Sequence, residues 1–407
     1  MVITGIGAVT PIGHGAAGLW GGVERGQSAV RELTRFDPGP FRSRVAAEID
    51  DFDARAFLTD RRARRLDRFS QLAVVAAHQA MCDAELDPVR DLPESTGCYL
   101  GSALGGVAFA EAQHRAFLGR GAAAVSPALA LSVFGGAAGS NIAIELGLRG
   151  PSVSNSNSCA SGAIAVGEAF RLVRAGQAEV MLAGGAEAPL APLTFGAFAL
   201  IKAMSTAAGA WASRPFDVER DGFVMGEGSA VVVLEAADRA RARGARVYAE
   251  VRGYATTNDA FHMLAPLADG AQAARAIRLA LADAHLQATE VDYVNAHASA
   301  TPIGDRAEAA AIEAALGDHA REVAVSGTKG LYGHPLGASG AIEIAIAALT
   351  IDTGFVPGTT NLIRPDADNH LRLVDPRGVH AHPRVVLKNA FGFGGSNAAL
   401  VLSQPQV

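Results

Sequence analysis

One pentapeptide occurs twice in this chain, and its two settings set the frame for the fold. Ala160-Ser161-Gly162-Ala163-Ile164 recurs as Ala338-Ser339-Gly340-Ala341-Ile342, 178 positions later. Five identities are within reach of chance in a chain with 46 glycines. The context argues further: each copy opens an apolar, helix-periodic run directly after a loop of small residues, as a duplicated α/β half predicts. Apolar strands alternate with Ala-rich helical stretches elsewhere, as in "EVMLAGGAEA" and "RVVLKNAFGFGGSNAALVLS". The fold class is therefore α/β. The expected boundary follows "RARGARVYAEV", giving halves 1–250 and 251–407.

Composition narrows the classes. The 407 residues are 49% hydrophobic and 19% charged, enough for a large core in one big domain or two fused ones. A net charge of −6 argues against a nucleic-acid binder, which needs a basic face, although "TDRRARRLDRF" is a local basic cluster. The N-terminal "MVITGIGAVTPIG" has neither a basic segment before it nor a cleavage-type sequence after it, and no window approaches twenty uncharged apolar residues without Gly or polar breaks. No secretory signal and no membrane span are expected, so the cytoplasm is the default. Three cysteines, Cys82, Cys98 and Cys159, are too few for a disulfide framework or a four-ligand zinc site. Cys82 and Cys98 are expected to be buried free thiols.

Cys159 is different, because it precedes the first repeat. A thiol at a helix N-terminus faces unpaired N–H groups and the positive end of the macrodipole, which favours thiolate. The same N–H groups can bind an oxyanion. Ser158, Ala160, Ser161 and Gly162 leave room for an acyl group. The plain alternative is a packing cysteine, and company decides between the two. His297 sits in "YVNAHASATPIGDRAEA" where an apolar strand enters a small-residue loop, and His334 sits in "VSGTKGLYGHPLGASGAIE" directly before the second repeat. Single histidines of this kind are usually structural. Two at matching strand ends, in a chain whose duplication brings the helix starts together, point to a site. Lys329 and Glu308 flank them; a buried Lys beside a Glu would orient imidazoles, and the alternative is a surface ion pair. "NAFGFGGSNAALVL" is not a nucleotide loop, since it lacks G-x-G-x-x-G order and a strand follows it; "GIGAVT" follows a strand but lacks the third glycine. Gly392, Gly394 and Gly395 instead permit a turn that aims an amide, with Phe391 and Phe393 near a cavity.

With Cys159, His297, Lys329, His334 and "FGFGGSN" in this order, the chain resembles the β-ketoacyl-acyl carrier protein synthases, the elongating condensing enzymes of fatty-acid and type II polyketide assembly. The likeness extends over essentially the whole chain, through "TGIGAVTPIG", "GLRGPS", "VMLAGGAEA", "SRPFDVERDGFVMGEG" and "NDAFHMLAP". It implies a thiolase-like layered αβαβα fold with two pseudo-twofold-related halves, dimeric, and it assigns roles. Cys159 would accept the acyl chain as a thioester. His297 and His334 would promote decarboxylation of malonyl-acyl carrier protein and stabilise the enolate. The amides of Cys159 and Phe393 would form the oxyanion hole. Lys329 with Glu308 would support the histidines, Phe393 would gate entry, and Ser299 and Thr301 would contact pantetheine. Ala128, Leu129 and Phe391 would border the acyl pocket. The acidic carrier would dock on Arg61, Arg64, Arg65 and Lys202. Substrates would arrive on phosphopantetheine with no separate cofactor.

The resemblance also implies a monovalent cation near Asn295, Glu343 and Asn389; Lys388 stands where a serine is common, so an ammonium would take the ion's place. Other departures are His297-Ala298-Ser299 for His-Gly-Thr, Lys329-Gly330 for Lys-Ser, and the small Ala128-Leu129 where aromatic residues are common. They put a housekeeping fatty-acid role in question and favour a specialised type II polyketide-like ketosynthase paired with a chain-length-factor-like chain; a homodimeric fatty-acid enzyme is the alternative. A thiolase would need a second catalytic cysteine beyond Cys159, initiating synthases pair Cys with His and Asn, and chain-length factors generally lack the nucleophile.

Overall fold

The computed structural model describes residues 1–405. Its first strand, Val2–Thr10, is buried along its whole length and reads as a continuous apolar and small-residue run rather than an alternating one, as a strand covered on both faces must. "GIGAVT" lies inside this strand instead of following it. Its glycines serve a close approach: a Cβ on Gly7 would come within 1.8 Å of the Ala76 carbonyl oxygen in the helix Arg68–Asp83.

Four more strands join it: Gly97–Gly101, Ser152–Asn155, Val180–Glu187 and Gly228–Glu235. Their spatial order is third, second, fourth, fifth, first, with the second parallel to both the third and the fourth and the fifth antiparallel to both of its neighbours. Five later strands, Ala249–Asn258, Tyr293–Asn295, Ala324–Ser326, Val385–Gly392 and Ser396–Ser403, repeat that order and those directions. The two sets meet where Val2 pairs with Glu250, which with two short added strands makes one 12-stranded sheet.

Between the two sets run the helices Ser161–Arg174 and Ser339–Thr353, each opened by a repeat copy. They meet through the repeated glycines: a Cβ on Gly162 would stand 2.9 Å from the Ala341 nitrogen, and one on Gly340 2.6 Å from the Ala163 nitrogen. Outside, Arg68–Asp83 packs on the first set and Ala271–Asp283 on the second, with separate apolar cores on either side of the central one. The layers therefore run helix, sheet, helix, sheet, helix. The thiolase-like expectation is met.

One expectation is corrected. Cys98 is buried but Cys82 is exposed near the end of its helix, on the turn face that leaves the core. The segment Leu336–Thr353 does have the length and hydropathy of a membrane span, yet 89% of it is buried within the fold. A helix apolar on all sides is one surrounded by protein. Burying each of Ile342, Ile344 and Ile346 contributes about 1.5–3 kcal/mol relative to exposure.

One face is uncovered. The strand Ser152–Asn155 is a sheet edge, the helix Val107–Arg120 buries none of its residues, and Leu118, Leu131 and Leu193 are about 70% exposed.

Candidate active site

The nucleophile candidate is placed by a matched pair of turns. Ser158–Ala160 and Leu336–Ala338 are 3₁₀ turns leading into the two central helices, each opened by a residue of positive φ, Ser158 at 53° and Leu336 at 37°. The position equivalent to Cys159 in the second turn is Gly337. A Cβ there would lie 2.4 Å from the Ala103 nitrogen and 2.7 Å from Glu187 Oε2, so only the first turn has room for a side chain. Gly337 N–H donates to Glu187 at 3.0 Å, and the Ala103 N–H does so at 2.6 Å. This buried carboxylate ties the second turn to the chain beside the first.

Cys159 is buried, and burial pushes its thiol up to about 11, with the Ser158 hydroxyl and Lys329 opposing in smaller measure. Desolvation thus works against the thiolate that the helix end favours. The glycine turn comes up against it: the Phe393 N–H is directed at the sulfur, and a Cβ on Gly392 would stand 3.1 Å from the Cys159 nitrogen.

His297 follows the strand Tyr293–Asn295 as read from the sequence. His334 does not sit at a strand end; the one-turn helix Lys329–Tyr332 intervenes, and the His334 backbone is held by the Val224 carbonyl at 2.7 Å. The two rings lie edge-on with centroids 5.4 Å apart. Burial, followed by Lys329, holds both imidazoles well below their ordinary range, so both are neutral. Lys329 Nζ donates to the His297 carbonyl oxygen and lies 3.4 Å from Nδ1. With a donor at Nδ1, the ring proton belongs on Nε2.

Lys329 does not pair with Glu308. Its carboxylate partner is Glu343, from the second central helix, and both are fully buried. Glu308 instead accepts the backbone N–H groups of His297 and Ala298, both at 2.7 Å, and so shapes the loop in which Ala298 and Ala300 take positive φ. The expected Lys329–Glu308 pair is thus replaced by Lys329–Glu343, because the second central helix brings Glu343 to the lysine while Glu308 is engaged by the His297 and Ala298 amides. Asn295 and Asn389 are buried beside this cluster, each with its side-chain oxygen lacking a hydrogen-bond partner.

A cavity of about 460 Å³ has Cys159, His297 and His334 in its wall, along with Ser299, Thr301, Phe391, Phe393 and Lys202. Ser299 and Thr301 hydroxyls are 3.0 Å apart, and Thr301 also caps the helix Pro302–Leu316. A second cavity of about 280 Å³ shares Cys159, Leu336 and Phe393 with the first and is otherwise bordered by Leu104, Phe198, Met263 and neighbours. Phe393, stacked on Phe198 at 6.3 Å, stands where the two meet. Ala128 and Leu129 border neither cavity; they are half-buried on the uncovered face. Arg61, Arg64 and Arg65 are exposed around the short helix Asp60–Ala63, Arg64 within 3.7 Å of Asp60, and only Lys202 of that group reaches a cavity.

Two residues escaped sequence reasoning. Ser339 Oγ is 2.7 Å from His334 Nδ1, and Phe223 packs edge-on against the same ring at 5.3 Å. Ser339 had a signal, being the serine of the second repeat; Phe223 had none.

Comparison with known proteins agrees with this geometry. The family model for the β-ketoacyl synthase N-terminal domain matches residues 1–240, and that for the C-terminal domain residues 248–363. The chain is 42% identical over 408 residues to 3-oxoacyl-[acyl-carrier-protein] synthase 2 of Synechocystis sp., covering 100% of this chain and 98% of that protein. Among solved structures it is similar to the ishigamide ketosynthase/chain length factor, with a TM-score of 0.93, 35% identity and coverage of 100% and 99%. A type II polyketide synthase acyl-carrier protein in complex with its hexaketide-bound ketosynthase gives a TM-score of 0.91 and 32% identity over 99% of each chain.

Proposed function

The chain belongs to the β-ketoacyl synthase family, and on that premise we propose that it joins an acyl group held on Cys159 to malonyl-acyl carrier protein, with loss of carbon dioxide. The observation that carries this reading is one buried thiol sharing a cavity with two neutral imidazoles. The Cys159 thiol gives its proton to an imidazole as sulfur attacks the incoming thioester, and that proton leaves with the pantetheine thiol. Malonyl carrier then enters. Its carboxylate departs as carbon dioxide, the electron pair left behind becomes an enolate held by the His297 Nε2–H and by His334, and its carbon attacks the Cys159 thioester. The tetrahedral oxyanion is received by the amides of Cys159 and Phe393, and collapse releases a β-ketoacyl carrier and expels the Cys159 sulfur as thiolate, which takes a proton from water to return to the thiol. Lys329 keeps the His297 proton on Nε2, Ser299 and Thr301 line the pantetheine path, and no separate cofactor enters. Functionally the chain divides into halves 1–250 and 251–407, the first supplying the thiol and the second the histidines.

The partner in our reading is a non-identical, chain-length-factor-like chain lying on the uncovered apolar face. The edge strand, Leu118 and Leu131 support a protein contact there, and Ala128 and Leu129, half-buried and outside both cavities, would meet the acyl chain only where that partner extends the pocket to them. A second reading, a homodimer elongating saturated chains, is favoured by the 42% identity to a 3-oxoacyl-[acyl-carrier-protein] synthase 2. Intact mass spectrometry of carrier-bound products from defined acyl and malonyl carriers tests the chemistry, with Cys159→Ala as the inactive control. Condensation by Cys159→Ala would sink the assignment. The same assay on the protein alone and beside candidate partners separates the two assemblies.

A further inference from the structure

The strand Val385–Gly392 alternates its faces, and Val386 and Ala390 point into the central core. Lys388 lies between them on that face and is fully buried. Its ammonium reaches the outer side of the Glu343 carboxylate, 2.9 Å from Oε2, while Lys329 holds Oε1 from the other side. It also donates to the Asn389 carbonyl oxygen. The residues named for a monovalent cation, Asn295, Glu343 and Asn389, therefore already have a cation among them, attached to the chain.

Lys329 and Lys388 face Glu343 and Glu308, all four buried, beside two neutral imidazoles; burial lowers Lys388, with Glu343 opposing, and raises Glu308, so a proton passing between those two leaves the sum unchanged. The cluster is balanced. A dissociable cation would add an uncompensated positive charge in a region without solvent, which is strongly unfavourable. The residues present do not fit the ion.

We propose that Lys388 is a tethered replacement for the monovalent cation: a positioning residue that holds Glu343, through Glu343 holds Lys329 against His297, and frees this chain from dependence on dissolved cations. This rests on the ketosynthase reading only for its activity readout. Removal of the ammonium should re-create an ion site, because Glu343 Oε2, which Lys388 meets as an ion pair, and the side-chain oxygens of Asn295 and Asn389 all lack a hydrogen-bond partner.

The experiment uses full-length protein exchanged into choline chloride and titrated with potassium or sodium chloride at constant ionic strength. Melting temperature and carrier-based condensation are both followed. Wild type is expected to show the same values in all three salts. Lys388→Ser is expected to lose activity about 10–100-fold in choline, as removal of a supporting partner does, and to recover both activity and melting temperature in potassium or sodium. Lys388→Met, which fills the volume without charge, is expected to be impaired in every salt. Stimulation of wild type by potassium or sodium over choline would overturn the proposal even if neither variant folds. So would a Lys388→Ser protein indifferent to cations. Should no variant or wild type condense carrier substrates while the melting responses appear as stated, the ketosynthase reading fails and the cation replacement stands.

Discussion

The Ser339 hydroxyl lies 2.7 Å from Nδ1 of His334. In the first copy of the repeat the same serine, Ser161, binds the Ser158 carbonyl oxygen at 2.7 Å instead. One motif position thus serves the backbone in one half and an imidazole in the other. Ser339→Ala leaves Nδ1 unpaired in a buried setting and frees the ring to reorient. We expect malonyl decarboxylation to fall by about tenfold, with Cys159 acylation less affected. Equal loss in both half-reactions would reduce Ser339 to a packing residue.

Burial dominates the Cys159 thiol, so its reactivity should rise with pH well past neutrality. Alkylation by iodoacetamide should be slow at pH 7 compared with a free thiol of pKa about 8.5 and should climb until about 11. Exposed Cys82 will react first, so peptide-resolved mass spectrometry is needed. A Cys159 plateau below pH 9 would show that the helix end outweighs desolvation after all.

Both histidines are neutral in the native protein because burial disfavours their charged forms. The unfolded chain takes up protons as pH falls through about 6.5, the native site does not, and stability should drop through that range. The stability is fully present above it. The acid limb of condensation should accordingly lie below pH 6.5, and replacing either histidine by alanine should lower condensation about 10²–10⁴-fold. An acid limb at or above 6.5 would contradict neutral resting imidazoles.

Arg64 and Arg65 are exposed, while Lys202 opens onto the large cavity. If an acidic carrier approaches over this surface, Arg64→Glu with Arg65→Glu should raise KM for carrier-bound substrate, and added salt should weaken wild type in the same sense. Turnover of small thioester mimics should be unchanged. Equal effects on carrier and mimic would place the defect in folding rather than docking.

The contact between the central helices should be intolerant of a single methyl group. Gly340→Ala would bring a Cβ to 2.6 Å from the Ala163 nitrogen and is expected to cost about 1–3 kcal/mol. Gly119→Ala, in an exposed helix with open space around it, should be neutral or stabilise by about 1 kcal/mol. Denaturant titration of the two variants distinguishes crowding from a general effect of replacing glycine.

The duplicated pentapeptide, the lone thiol before its first copy and the two histidines could be read from the chain because each is a local pattern. The central helices could be placed without tertiary information, since Ser161–Arg174 carries its apolar residues at helical spacing and Ser339–Thr353 is apolar on nearly every side. Partners across layers were another matter. Glu308 holds the amides of His297 and Ala298, while the carboxylate that meets Lys329 is Glu343, which only the packing of the second central helix carries there. The thiolate expected of Cys159 was likewise decided by depth of burial, which no spacing reports. Cys82 and Cys98 are chemically alike in sequence and opposite in exposure. Sequence by itself determined which groups this protein has and which short segments hold them, because those depend on neighbours along the chain. Tertiary structure alone decided which charges meet and which groups lose water, because Coulomb attraction and desolvation depend on distance through space.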